Sequence, residues 1–191
     1  ADDLMSADGM TLLLERQARL QPGALALSCG EASLGYGELD TRARELARML
    51  HARGIGPGCF VGLVAERSVE QVIGLWGIIG AGAAYVPIDP AYPQERVEHM
   101  ISAAAITTVV TTARHAGRFP GSAVVRIDEA GRGAGVNGTA VVVTTEDPLY
   151  AIFTSGSTGT PKAAAVLRRG FANLLGGICV SSRSGRTTGP W

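Results

Sequence analysis

Between residues 60 and 127, short apolar runs alternate with stretches patterned for helix. That alternation limits the fold more than any other feature of the sequence, because strand–helix–strand units with short links place their strands parallel in one sheet. Residues 60–64, 85–86, 106–110 and 124–127 read as strands. Ser68 is a good N-cap for an apolar helix running to about residue 81, and Glu70 sits in its first turn, where the helix dipole favours an acid. Val72, Ile73, Trp76 and Ile79 make that helix apolar nearly all round, so it should be buried. Pro87 stops the strand at 85–86, and Pro93 opens a second helix over 93–103. The expectation is an α/β fold: a layered, mostly parallel sheet with flanking helices.

The flanks follow the same logic. Residues 11–20 read as a short helix, and 24–28 with 32–35 as a hairpin turning at Cys29-Gly30-Glu31. From 36 to about 53, Leu39, Ala43, Leu46, Ala47 and Leu50 recur on one helix face, and Gly54 is placed as a C-cap glycine. Segments 113–123 and 129–140 read as loops, and 140–144 as one more short strand. Residues 149–153 and 162–166 form an outgoing and a returning strand, and a helix follows over 168–175. Residues 181–191 carry little to bury and read as a disordered end.

Charge and composition exclude several classes. Seventeen basic and 17 acidic residues cancel, with no basic stripe, which argues against a nucleic-acid binder. No run of 18 or more apolar residues predicts a membrane span, and the acidic N-terminus is unlike a signal peptide, so cytoplasm is the expected compartment. Cys29, Cys59 and Cys179 form no CxxC pair, and His51, His99 and His115 are scattered, so no metal site is expected.

The strongest chemical signal is Phe153-Thr154-Ser155-Gly156-Ser157-Thr158-Gly159-Thr160-Pro161-Lys162. Its glycines let backbone N–H groups turn toward an anion, its hydroxyls can follow phosphate oxygens, and Lys162 can supply a point charge. It departs from the common P-loop, because the lysine follows a proline and is not followed by Ser or Thr. The β-like run after Pro161 predicts a loop joining two strands rather than a strand and a helix. Lys162 is the only lysine in the chain, so its compact ammonium is not the default basic residue here.

Residues 149–162 resemble the signature loop of the adenylate-forming (AMP-binding) superfamily. Leu34-Gly35-Tyr36-Gly37-Glu38-Leu39 is similar to that family's first core motif. The stretch from Gly80 through Tyr85-Val86-Pro87-Ile88-Asp89-Pro90-Ala91-Tyr92-Pro93-Gln94-Glu95-Arg96 resembles the second, in the form typical of nonribosomal peptide synthetases rather than acyl-CoA or luciferase-type ligases. Tyr36 and Pro87 are expected to fix turns and packing. The resemblance implies a partial adenylation domain over 1–175 and a non-matching tail over 176–191. It implies ATP with Mg²⁺ as cofactors of the intact enzyme, and phosphate contacts by Thr154, Ser155, Gly156, Ser157, Thr158, Gly159 and Lys162. The implied reaction joins an amino acid to AMP and releases pyrophosphate. Implied partners are a carrier-protein domain and an MbtH-like helper protein, the latter near 90–93.

The family's later motifs, for adenine, ribose and the substrate amine, are missing, and so is its catalytic lysine, because Lys162 belongs to the loop. No catalytic residue is therefore assigned. Ala163 stands where the family has glycine, and Arg168 where it commonly has histidine. The expectation is a truncated domain that is inactive alone and exposes apolar surface. Alternatives are a ligase completed by a second chain, a non-catalytic module binding the helper protein, and an acyl-CoA ligase fragment.

Overall fold

A computed structural model describes residues 9–130, 141–154 and 162–171. The chain begins with α1 (Gly9–Leu20), the antiparallel hairpin β1 (Leu25–Cys29) and β2 (Ala32–Gly35), and α2 (Tyr36–His51). The main sheet is then laid down by β3 (Phe60–Val64), α3 (Val69–Gly80), β4 (Ala84–Pro87), α4 (Gln94–Ala103), β5 (Thr108–Thr111), β6 (Ala123–Arg126), β7 (Pro148–Thr154) and β8 (Lys162–Leu167). Its strand order is β6-β5-β3-β4-β7-β8, parallel throughout except for the β7–β8 pair. The mostly parallel α/β sheet expected from the sequence is therefore present.

Alternation along the strands separates two apolar layers. Val61 and Leu63 of β3 and Val110 of β5 face Leu46 and Leu50 of α2 and Ile73 and Ile78 of α3. Val64, Val86 and Val109 face the other way, onto Val97 and Met100 of α4. Two glycines allow α3 to lie close to its neighbours. A Cβ at Gly77 would come within 2.7 Å of Leu46 Cβ, and one at Gly74 within 2.6 Å of Leu63 Cδ1.

Three helices close in the same way. The backbone N–H of Ile55 donates to Leu50 and that of Gly54 to His51; Ala83 and Gly82 repeat the pattern on Ile78 and Ile79, and Ile106 and Ala105 on Ile101 and Ser102. Gly54 and Gly82 take the required left-handed conformation, with φ of 75° and 80°. Ala105 takes it too, at φ 50°, where a Cβ costs energy. Because Ile106 N–H is used in this closure, β5 starts at Thr108 rather than at the expected 106. The Ser68 cap is as expected: its Oγ accepts from Gln71 N–H at 3.3 Å.

The expected strand at 140–144 is a correction. Residue 140 lies outside the described residues, and 141–144 form no strand. Val142 is 86% exposed, whereas the methyls of Val141 and Val143 lie against Gly82 at the end of α3. The Asp147 carboxylate then takes the N–H of Thr144 at 2.6 Å and its hydroxyl at 3.0 Å, turning the chain instead of pairing it. The helix expected over 168–175 is present over 168–171, and the remainder lies outside the described residues, as do 176–191. Among the described residues no helix is long and apolar enough to cross a membrane.

Candidate functional site

Two features meet at the carboxyl ends of the parallel strands. The first is the β7–β8 hairpin that carries the glycine-rich loop. Six register pairs hold it, from Pro148↔Leu167 to Thr154↔Lys162. The loop thus joins two antiparallel strands, as the Pro161 signal predicts. Of the expected phosphate-contacting residues, Thr154 and Lys162 face each other across the mouth of the hairpin, and Thr154 Oγ donates to the Lys162 carbonyl at 3.5 Å. Both side chains are exposed. Ser155, Gly156, Ser157, Thr158 and Gly159 lie outside the described residues. At the base of the hairpin, Arg168 N–H donates to the Asp147 carbonyl and Arg169 N–H to that of Thr145, both at 3.0 Å, while Arg169 pairs with Glu146 at 2.9 Å.

Tyr150 of β7 stacks on Tyr85 of β4 with ring centroids 5.5 Å apart, at the single register pair joining these strands. Burial, and then the neighbouring Tyr150, push the Tyr85 hydroxyl above the ordinary tyrosine pKa, so it stays a neutral packing group.

The two upstream motifs prove to be positioning devices. Gly35 and Gly37 let Pro22 approach: a Cβ on Gly35 would meet the Pro22 carbonyl oxygen at 2.8 Å, and one on Gly37 would lie 3.0 Å from Pro22 Cβ. Tyr36 N–H bonds to Ala24 and Gly37 N–H to Pro22, tying the start of α2 to the hairpin before it. In the second motif, Asp89 Oδ1 accepts from Ala91 N–H at 2.8 Å, and its carbonyl accepts from Tyr92 N–H at 3.0 Å, forming a tight turn into α4. Arg96 then lies 4.0 Å over the Tyr92 ring. Arg118 reaches back to clamp this turn through the carbonyls of Pro90 and Tyr92.

The second feature is a crevice of about 810 Å³ beside the end of β7. Residues from four strand ends line it, among them Arg67, Asp89, Arg114, His115 and Phe153. Sequence reasoning did not find this group, because the residues are up to 86 positions apart and share no motif. Among the described residues no group of three or more His, Cys, Asp or Glu could hold a metal ion.

Residues 14–188 match the family model described as AMP-binding enzyme. The chain is 37% identical over 171 residues to bacitracin synthase 1 of Bacillus licheniformis, covering 87% of the chain and 3% of that protein. It is 42% identical over 166 residues to tyrocidine synthase 3 of Brevibacillus parabrevis, covering 84% and 2%. Among solved structures, the nonribosomal peptide synthetase FmoA3 in its AMPPNP-bound form superposes with a TM-score of 0.79 at 34% identity, covering 90% of this chain and 18% of that one. The N-terminal subdomain of Klebsiella oxytoca NpsA, bound to 3-hydroxyanthranilyl-AMSN, gives 0.69 at 25% identity, covering 85% and 41%. The chain thus spans a small part of the relatives it matches.

Proposed function

Because the chain belongs to the AMP-binding enzyme family, we propose that it is the phosphate-holding portion of an amino-acid adenylation domain of nonribosomal peptide synthesis. The observation that carries this reading is the β7–β8 hairpin. It is an antiparallel pair of strands that presents Thr154 and Lys162 on either side of a Gly-Ser-Thr loop, in a fold shared with an AMPPNP-bound synthetase.

The reaction is attack of an amino-acid carboxylate oxygen on the α-phosphorus of ATP. A P–O bond forms to the carboxylate and the bond to the β-phosphate oxygen breaks, giving aminoacyl adenylate and pyrophosphate. Most of the protein's work in such a transfer is positioning and charge stabilisation. In this reading, backbone N–H groups and hydroxyls of Thr154, Ser155, Gly156, Ser157, Thr158 and Gly159 cradle the β- and γ-phosphates, with Lys162 as the point charge. ATP is the cofactor. Mg²⁺ would arrive with it, held mainly by phosphate oxygens and water, as is usual for this ion. The amine- and adenine-binding groups belong to the rest of the domain, as does the carrier-protein domain that receives the aminoacyl group. An MbtH-like helper protein near the 90–93 turn belongs to the same reading.

The direct test is calorimetric titration of the chain with pyrophosphate. The expected result is weak binding that Lys162→Ala lowers by about tenfold, a difference of ~1.4 kcal/mol. Equal affinity in the two proteins would remove the loop from this role.

A further inference from the structure

The crevice beside β7 has a location that the loop alone does not explain. The chain leaves β3 toward α3 on one face of the sheet, and leaves the adjacent β4 toward α4 on the other. The loops after these neighbouring strands therefore diverge and open a crevice outside their carboxyl ends. This is the topological switch point, where open α/β sheets take their ligands. At about 810 Å³ it is the size of a small-molecule site.

Its chemistry is two-sided. Leu63, Ile88, Met100 and Phe153 supply an apolar floor. Around the rim stand three guanidinium groups, Arg67, Arg96 and Arg114, against two carboxylates, Glu66 and Asp89. Both carboxylates are already engaged. Glu66 places its two oxygens 2.8 and 3.0 Å from Nη1 of Arg114, and Asp89 caps Ala91 N–H. Nε2 of His115 is enclosed and has no hydrogen-bond partner among the described residues; Glu66 Oε1, at 3.8 Å, is beyond hydrogen-bond reach. Arg67 is exposed at the end of β3. The crevice thus sets the exposed Arg67 guanidinium, which has no side-chain partner among the described residues, over an apolar floor whose two carboxylates are already engaged.

We propose that this crevice binds a small amphipathic organic anion, with its apolar body on Ile152 and Phe153 and its anionic head at Arg67. The site lies outside the phosphate-binding role of residues 154–162 and does not depend on it.

The test uses the whole chain and the fluorescent probe 1-anilinonaphthalene-8-sulfonate, displaced in turn by octanoate, octylammonium and inorganic phosphate. Octanoate should displace the probe, while octylammonium and phosphate at equal concentration should not. Arg67→Gln, at an exposed position that leaves the melting curve in place, should weaken octanoate about tenfold, and added salt should weaken it further. Leu25→Ser, in an exposed apolar position on β1 outside the crevice lining, should leave octanoate affinity unchanged. Displacement by octylammonium as strong as by octanoate would reduce the crevice to a bare apolar patch. Displacement by phosphate would make it a simple anion site, and indifference to Arg67→Gln would move the ligand elsewhere. Each of these results overturns the proposal, whereas failure of pyrophosphate to bind at Lys162 would leave it standing.

Discussion

The β3–β5 unit and the β7–β8 hairpin share one sheet but differ in what holds them. Val61, Val64, Val86, Val109 and Val110 of the first are fully buried, between α2 and α3 on one face and α4 on the other. In the hairpin, Leu149 and Ala151 are buried, but Ile152, Thr154 and the first four residues of β8 are exposed. The first region is held by packing on both faces, and its turns are closed by backbone hydrogen bonds. The second is held by its own antiparallel ladder and by the Tyr85–Tyr150 pair and ring stack that join β7 to β4. The comparison teaches how the sheet is built: a double-sided core fixes the strand ends, and the more lightly packed hairpin leaves Thr154 and Lys162 exposed.

Mutations should separate the two regions, and the largest effect belongs to the packed one. Gly77→Val would force a side chain into Leu46 and should cost about 3 kcal/mol, read from chemical denaturation. A loss near zero would mean that α2 and α3 are not in the close contact described. Thr111 is fully buried and donates its hydroxyl to the Val64 carbonyl at 2.6 Å, tying β5 to β3. Thr111→Val keeps the shape and removes that bond, so it should cost about 1–2 kcal/mol.

A pH effect of smaller size sits on the outer edge of the same sheet. Burial alone would raise the Asp128 carboxyl pKa, but its pairing with Arg126 and the N–H of Ala113 outweigh this and lower it. A folded-state pKa below the unfolded one gives stability that is present above the unfolded value and lost as pH falls through the folded value. Asp128→Asn should therefore flatten the acid limb of the stability curve below ordinary carboxylate pH, by less than about 1 kcal/mol because the pair is partly exposed. Ala105→Gly should act in the opposite sense. It removes left-handed strain of roughly 1–2 kcal/mol but frees the unfolded chain, for a net gain of about 0.5 kcal/mol in melting experiments.

Much of the packed region was legible from sequence. Ser68, Gly54 and the apolar face of α2 signal their roles locally, because caps and helix periodicity are written in adjacent residues. Ala105 hides the same helix closure that Gly54 and Gly82 advertise, since alanine gives no sign of a left-handed backbone. The run at 140–144 looked like a strand because apolar residues alone cannot say whether a ladder partner exists; Val141 and Val143 serve Gly82 instead. The hairpin was legible from Pro161 and the runs on either side of it. The crevice was not, because divergence of the loops after β3 and β4 brings Arg67, His115 and Phe153 together, and only topology records that.

The central claim is that the β7–β8 loop holds the ATP phosphates during amino-acid activation. Its most direct test is amino-acid-dependent exchange of pyrophosphate into ATP, measured on the chain joined to the remainder of a related adenylation domain. The joined protein should exchange and the chain by itself should not. Lys162→Ala, exposed and worth less than about 0.5 kcal/mol to stability, should lower exchange by about tenfold or more with the melting temperature unchanged. Full exchange by the Lys162→Ala protein, or exchange by the chain alone, would contradict the account.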